Sequence, residues 1–242
     1  MNMTKLAIFD LDGTLLDTAK DLGNATNYAL RNCGYPERPL DDFYQLVGRG
    51  IYNLFRGAVL PRGLSNEELF KRYPSVDEGV VDKMASFFIP YYDKHKCDYT
   101  MPYPGICDML DALEAHGVAF GVASNKYQDA VTKIIGHYFS EFSIIEAAGQ
   151  RTGVPVKPDP SIVFSILLKA EIAKDDVLYV GDSGVDMETA WRACVDSVGV
   201  TWGFRTEQEL RTNRATFIVH KPMQIADIVR GENLESYYNK RS

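Results

Sequence analysis

The 242-residue sequence lacks the features that mark several protein classes. Its four cysteines include no Cys-x-x-Cys pair, so we expect neither a disulfide scaffold nor a cysteine metal site. Acidic residues outnumber basic ones, 33 to 26, and this net charge of −7 argues against a general nucleic-acid binder. No apolar run approaches the roughly 18 residues of a membrane span, and no signal peptide is recognisable. We therefore expect a cytoplasmic protein with reduced thiols that binds neither nucleic acid nor membrane.

Short apolar runs alternate with helical patterns at the start of the chain and through its second half. Such alternation predicts βαβ units and a parallel sheet with helices on both faces. The predicted strands are residues 6–9, 118–123, 177–180 and 217–219. The predicted helices between them are residues 106–116, 128–138, 161–170 and 186–193.

The segment between the first two strands has helical patterns and no convincing strand. The predicted helices there are residues 18–33, 40–47, 51–60, 66–73 and 76–95. Prolines and a glycine in residues 99–105 are typical of a domain boundary. We predict an α/β protein in which an all-helical domain, residues 17–99, interrupts a core domain of residues 1–16 and 100–242.

Two carboxylates directly follow the first predicted strand. Asp10 and Asp12 are two residues apart, so on an extended chain both side chains point the same way. Gly13 lets the backbone turn and leaves amide groups free to hold phosphate oxygens. A divalent cation would relieve the repulsion between the two acids, and oxygen ligands suit Mg²⁺. A simple turn is the alternative for this pentapeptide.

Polar residues also follow the later predicted strands. Ser124 and Asn125 can donate hydrogen bonds to a phosphate, or can serve as a helix cap. Lys157 is followed by Pro158 and Pro160, which stiffen the backbone, so it can act as a fixed cation. Asp182 and Asp186 are spaced about one helical turn apart after the third strand. Ligands bind outside the carboxyl ends of parallel strands. These motifs together are therefore much stronger evidence for one binding site than each motif singly.

Taken together, the sequence resembles the haloacid dehalogenase superfamily, and within it the phosphoglycolate phosphatase-like enzymes. The four segments that carry the resemblance are Asp10-Leu-Asp-Gly-Thr14, Ser124-Asn-Lys126, Lys157-Pro158 and Gly181-Asp-Ser-Gly-Val-Asp186. The resemblance covers nearly the whole chain, although it is loose over the inserted helices. It implies a Rossmann-like core with a helical cap, and a Mg²⁺-dependent phosphatase acting on a small phosphorylated metabolite such as phosphoglycolate.

The resemblance also implies a role for each motif residue. Asp10 would be the nucleophile that forms an aspartyl-phosphate, and Asp12 the general acid and base. The implied phosphate-binding residues are Gly13, Thr14, Ser124, Asn125 and Lys157. The implied metal site comprises Asp10, the Asp12 carbonyl, Asp182 and Asp186, the last in a direct or supporting role.

The substrate and the partner state stay open. Arg49, in a glycine-flanked turn of the helical domain, could form a fork to a substrate carboxylate or second phosphate, or could face solvent. A phosphosugar mutase like β-phosphoglucomutase shares the nucleophile and is an alternative enzyme. A non-catalytic binding or regulatory module on the same fold is the alternative from another class. Both a monomer and a homodimer are compatible with the sequence.

Overall fold

A computed structural model describes residues 4–239 of the chain. Its contacts divide these residues into two units. The core unit runs up to Asp17 and resumes at Pro102, and the helical unit comprises Thr18–Met101. The short strands β2 (Leu16–Asp17) and β3 (Met101–Pro102) lie in the two connecting segments.

The core unit is built on a six-stranded sheet in the order β5-β4-β1-β6-β7-β8. Every neighbouring pair is parallel. The strands are β1 (Leu6–Phe9), β4 (Ala119–Tyr127), β5 (Ile144–Gln150), β6 (Val177–Gly181), β7 (Asp196–Val200) and β8 (Phe217–Val219). The core helices are α6 (Ile106–Ala115), α7 (Gln128–Tyr138), α8 (Ser161–Ala170), α9 (Gly184–Ala193), α10 (Glu207–Thr212), α11 (Met223–Arg230) and α12 (Leu234–Tyr237). The predicted α/β class is confirmed.

The two central strands, β1 and β6, explain where the site forms. Both are buried along their whole length, as expected for parallel strands covered on both faces. From β1 the sheet grows through β4 and β5 on one side, and through β6, β7 and β8 on the other. The order therefore reverses between β1 and β6, and such a reversal opens a crevice at the carboxyl ends of the strands. Asp10 and Asp182 are the residues that follow these two strands.

Strands β5 and β7 of the six-stranded sheet were not predicted, and neither were the short strands β2 and β3; β4 ends four residues beyond its predicted end. The β5 sequence contains Ala, Gly and Gln, and β7 contains Asp, Ser and Gly, which are weak strand formers. β4 runs to Tyr127, so Ser124 and Asn125 lie within its last residues rather than after it. The register between β4 and β5 shifts between Ala123 and Tyr127, so the sheet is irregular where these polar residues lie.

The helical unit contains the five α-helices that its sequence predicts. They are α1 (Ala19–Cys33), α2 (Asp41–Leu46), α3 (Ile51–Val59), α4 (Asn66–Arg72) and α5 (Glu78–His95). Phe88 of α5 packs edge-on against Phe55 of α3, with ring centroids 5.0 Å apart, and stacks on Tyr92 at 5.2 Å. These three side chains are fully buried and form the unit's own aromatic core. Among the described residues, no helix has the length and apolarity that a membrane span requires.

A buried carboxylate fixes the end of the helical unit to its first helix. Asp21 of α1 accepts hydrogen bonds from the backbone amides of Tyr99 and Thr100, at 3.0 Å and 2.8 Å from its Oδ2. The Thr100 hydroxyl donates to the same oxygen at 2.8 Å. Hydrogen bonds to a charged acceptor are stronger than neutral ones, so this cluster closes the unit where the chain leaves it.

Candidate active site

Three buried carboxylates meet at the carboxyl edge of the sheet. Asp10 follows β1, Asp182 follows β6, and Asp186 lies in the first turn of α9. One oxygen from each lies within 4.8 Å of the others, and all three residues are buried. The order of the central strands brings Asp10 close to Asp182 and Asp186, which are 172 and 176 positions away from it in sequence.

Lys157 supplies the positive charge of this cluster. Its Nζ lies 2.7 Å from Oδ1 of Asp10 and 2.7 Å from Oδ1 of Asp186. The lysine side chain is only 2% exposed, so solvent screens these ion pairs little. The predicted fixed cation is therefore in direct contact with the predicted nucleophile.

The two oxygens of Asp186 have different partners. Oδ2 accepts from the Ser183 hydroxyl at 2.6 Å and from the Ser183 amide at 3.1 Å, which completes a capping box at the start of α9. Oδ1 accepts hydrogen bonds from the Lys157 ammonium and, at 3.3 Å, from the Tyr179 hydroxyl. Asp186 thus joins the helix start to the lysine.

Burial shifts the acidity of the cluster. Desolvation raises the pKa of Asp10 well above its usual value, although Lys157 opposes this shift. Desolvation, with repulsion from Asp186, raises the pKa of Asp182 to about 7. Burial works against the charged form of Lys157, but attraction to Asp10 and Asp186 outweighs it and raises the lysine pKa well above its usual value. One lysine therefore leaves the acid cluster short of positive charge.

Asp12 lies outside the acid cluster and pairs with a residue that the sequence did not single out. Its Oδ1 is 2.9 Å from Nζ of Lys126, and the two side chains are 10% and 2% exposed. Lys126 belongs to the Ser-Asn-Lys segment, so its motif was recognised while its role was missed. The irregular end of β4 decides where this side chain points, and no pattern in the sequence reveals it.

The other candidates of that segment are also buried. Asn125 accepts from the Lys157 amide at 2.8 Å and donates to the Lys157 carbonyl at 3.2 Å. Ser124 accepts from the Lys126 amide at 3.2 Å. Asn125 therefore holds the backbone that carries the lysine, and its predicted contact with phosphate stays a prediction.

Gly13 and Thr14 form the turn after the first acids, and both pack against Asp182. Gly13 has a φ of 89°, and a Cβ there would collide with the Asp182 carboxylate. The Thr14 hydroxyl lies 3.5 Å from Oδ1 of Asp182, at the limit of a hydrogen bond. The positive φ and the close approach to Asp182 both require glycine at position 13.

The donor set of the acid cluster fits a divalent cation. All its ligand atoms are carboxylate oxygens, which are the ligands that Mg²⁺ and similar hard ions prefer. Burial, with repulsion from neighbouring acids, raises the pKa values of Asp10 and Asp182, so nearby positive charge does not fully compensate their charged forms. A bound cation would remove that deficit.

Arg49 belongs to the helical unit. It lies between α2 and α3, and its guanidinium carbon is 3.9 Å from the centre of the Phe70 ring. Stacking on the aromatic face restricts the Arg49 side chain. The N–H donors of the guanidinium stay directed outward, away from the Phe70 ring centre. Its contact with a substrate stays a prediction.

Comparison by sequence and comparison by structure find the same kind of protein. A family model described as haloacid dehalogenase-like hydrolase matches residues 7–200. A phosphoglycolate phosphatase of Agrobacterium fabrum (strain C58 / ATCC 33970) is 32% identical over 207 residues, which cover 84% of this chain and 82% of that protein. A phosphoglycolate phosphatase of Pseudomonas putida is 29% identical, over 90% of this chain and 76% of that protein. A crystal structure from Lactobacillus delbrueckii subsp. bulgaricus, of a provisionally named phosphoglycolate phosphatase, superposes with a TM-score of 0.87 at 32% identity, covering 94% and 98% of the two chains.

Proposed function

The chain belongs to the haloacid dehalogenase-like hydrolases, and on that premise we propose that it is a Mg²⁺-dependent phosphatase that cleaves a small phosphorylated metabolite through an aspartyl-phosphate at Asp10. The family predicted from the sequence is thereby confirmed, and so is the phosphoric monoester hydrolase class. We extend the proposal to a cytoplasmic enzyme, supported by four cysteines that are all free thiols.

The observation that carries the proposal is the contact of Lys157 with Asp10 inside the acid cluster. The lysine lies 2.7 Å from Oδ1 of Asp10, in a site where Asp182 and Asp186 offer further oxygens. Phosphoryl transfer needs a positioned nucleophile and positive charge around the transferring oxygens rather than elaborate covalent chemistry. An ammonium group beside a buried carboxylate meets both needs.

In the first step, a carboxylate oxygen of Asp10 attacks the substrate phosphorus. The bond between phosphorus and the leaving oxygen breaks, and Asp12 gives its proton to that oxygen. The products are the dephosphorylated alcohol and an aspartyl-phosphate on Asp10. Lys157 neutralises charge on the phosphoryl oxygens.

In the second step, Asp12 takes a proton from a water molecule. The water oxygen forms a bond to phosphorus, and the bond between phosphorus and the Asp10 oxygen breaks. Inorganic phosphate leaves, and Asp10 and Asp12 return to their starting states. Lys126, 2.9 Å from Oδ1 of Asp12, restrains the carboxylate that acts in both steps.

We assign the metal site to Asp10, Asp182 and Asp186, together with the backbone carbonyl of Asp12. Bound Mg²⁺ supplies positive charge that polarises the phosphoryl group and offsets the charge of the carboxylates. Gly13 and Thr14 provide the turn on which phosphate oxygens are held, and Ser124 and Asn125 complete the predicted phosphate-binding set.

Phosphoglycolate is the substrate that we propose first. Proteins about 30% identical over most of this chain carry that assignment. Phosphoglycolate has a carboxylate in addition to its phosphate, and the Arg49 guanidinium is suited to hold such a group in a two-point contact. Arg49→Met should then raise the KM for phosphoglycolate more than the KM for a phosphate ester without a carboxylate.

The test is phosphate release from a panel of phosphorylated metabolites, with Mg²⁺ and with chelator. It compares the wild type with Asp10→Asn and with Asp111→Asn, a change at an exposed aspartate of α6 in the same unit. We expect Mg²⁺-dependent release, with phosphoglycolate first in the ranking. Asp10→Asn should lower it by about four orders of magnitude or more, as for other catalytic nucleophiles, and Asp111→Asn should leave it unchanged.

Three results would overturn the proposal. Release that survives Asp10→Asn would exclude this nucleophile. Transfer of the phosphoryl group to a sugar, with no release to water, would establish that the protein is a phosphosugar mutase. A folded protein that binds Mg²⁺ and processes no compound would establish that it is a non-catalytic binding module.

A further inference from the structure

The loop that follows β7 lies against the acid cluster, and no sequence motif indicates this contact. This β7 loop comprises residues 201–206, between β7 and α10. It starts at a fixed point, because the Thr201 amide donates to the Val219 carbonyl of β8 at 3.1 Å. The loop is far in sequence from both Thr14 and Asp182, so only the fold makes them neighbours.

The first contact of the β7 loop is with Asp182. The Phe204 amide donates to Oδ2 of Asp182 at 2.6 Å, a short bond of the charge-assisted kind. A carboxylate held by a backbone amide loses little further freedom when it takes up a cation. Its orientation entropy has already been lost on folding, which favours binding.

The second contact is with the turn that carries the first acids. The indole Nε1 of Trp202 donates to the Thr14 carbonyl at 3.0 Å. The same loop therefore touches the main chain two residues after Asp12 and the side chain of Asp182. It couples the segments that follow β1 and β6, the two strands between which the site opens.

Gly203, between these two donors, is packed too tightly for any side chain. A Cβ there would collide with the Asp182 side chain and with the Gly13 carbonyl. The backbone thus approaches both segments as closely as a residue without a side chain permits. The helix that follows the β7 loop also contacts the segment after Asp182. Glu209 of α10 accepts a hydrogen bond from the Gly184 amide at 3.0 Å.

We propose that Trp202, Gly203 and Phe204 are positioning residues, which hold Asp182 and the Gly13–Thr14 turn in the geometry that binds Mg²⁺. Their contacts are with Asp182, Gly13 and Thr14, so their effect on the reaction is exerted through these residues. The inference rests on the proposed function, since it concerns the metal of the same site. Outer partners of metal ligands typically contribute about 10- to 100-fold to metal affinity when lost.

The test is calorimetric titration of the full-length protein with Mg²⁺ and no substrate. Trp202→Phe keeps an aromatic ring and removes the indole donor, and Gly203→Ala adds the colliding Cβ. The chain offers a matched control for each change. Trp191→Phe alters its other tryptophan, which is 56% exposed, and Gly136→Ala adds a Cβ where no atom lies within 4 Å.

We expect the Mg²⁺ Kd to rise roughly tenfold in Trp202→Phe and by more in Gly203→Ala, with wild-type values in both controls. At saturating Mg²⁺, Trp202→Phe should recover most of the wild-type kcat for phosphate release, because the nucleophile and Lys157 are intact. A general loss of structure would lower kcat at every Mg²⁺ concentration.

Wild-type Mg²⁺ affinity in Trp202→Phe would overturn the positioning role, and this variant decides alone if Gly203→Ala does not fold. A lowered kcat that saturating Mg²⁺ does not restore would overturn it as well. The failure of the proposed function looks different, because there the wild type itself would release no phosphate from any compound at any Mg²⁺ concentration.

Discussion

At the scale of single residues, the site consists of charges that the fold forces together. Asp10, Asp182 and Asp186 are buried, and Lys157 contacts only two of them through ion pairs. Burying like charges is unfavourable, so the free protein stores a cost that a cation relieves. This cost can be measured because it depends on pH.

Asp182→Asn should stabilise the protein in the presence of a chelator. The folded-state pKa of Asp182 is raised from 3.8 to about 7, so the folded state binds this proton more tightly than the unfolded state does. The free energy of unfolding therefore falls as the pH rises from about 4 to about 7, and the full cost is present above that range. Asparagine carries no charge and removes the cost.

Denaturant unfolding at about pH 8 and about pH 4 measures this effect. We expect Asp182→Asn to raise the free energy of unfolding by about 2 to 4 kcal/mol at the higher pH and by little at the lower one. Asp111→Asn is the exposed control and should have no such pH-dependent effect. An equal or larger gain at the lower pH would contradict the account.

Lys126→Met tests the residue that sequence reasoning missed. It removes a buried ion pair with the proposed acid and base, Asp12, and retains the apolar part of the side chain. We expect kcat to fall roughly 10- to 100-fold, because a mobile Asp12 loses part of the 10²- to 10⁴-fold that proton transfer contributes. The KM should change little.

The control is Lys5→Met. It removes an ion pair on the surface, between Lys5 and Asp176, whose charged atoms are about as close as those of Lys126 and Asp12. Exposed pairs contribute about 0 to 1 kcal/mol, so this variant should match the wild type in kcat and nearly match it in stability. Unchanged kcat in Lys126→Met would remove Lys126 from the mechanism.

At the scale of elements, the motifs were predictable because parallel strands end at a common edge. Asp10, Lys157 and Asp182 were expected to meet there because their motifs were placed at the carboxyl ends of predicted strands, and they lie in one cluster. The contact of the β7 loop with Asp182 was not predictable, because its donor is a backbone amide that any residue possesses. β5 and β7 were missed because small and polar residues are used where neighbouring elements supply the burial.

Two helices, α9 and α4, begin with a capping box. Comparing them distinguishes the structural role of a helix start from a functional one. Ser183 caps α9 with Asp186, and Ser65 caps α4 with Glu68. Ser183→Ala and Ser65→Ala should each cost about 1 kcal/mol of stability, the usual contribution of an N-cap. Only Ser183→Ala should also lower kcat, because Asp186 is held by the same hydroxyl and contacts Lys157.

Thermal unfolding and initial rates measure the two effects. Equal loss of kcat in both variants would show that the effect is one of general stability. No loss in either would show that the cap of α9 does not position Asp186 for the reaction.

At the scale of the whole molecule, the chain consists of a parallel α/β unit and a helical unit inserted after the first motif. From the sequence we predicted the insertion at residues 17–99, and the contacts divide the chain after Asp17 and after Met101. Helical periodicity made the insertion visible because helices carry local patterns. The substrate could be named only from the family resemblance, and phosphoglycolate therefore stays a proposal.

The central claim is that Asp10 carries the phosphoryl group during turnover. The most direct measurement is mass spectrometry of acid-quenched Asp12→Asn after reaction with p-nitrophenyl phosphate and Mg²⁺. This substrate has a leaving group that needs no proton, so the first step should proceed, while the second lacks the base that activates water. We expect one equivalent of p-nitrophenol and one phosphoryl group on the peptide containing Asp10. A phosphoryl group on another residue, or turnover by the wild type with no phosphorylated peptide in the variant, would contradict the account.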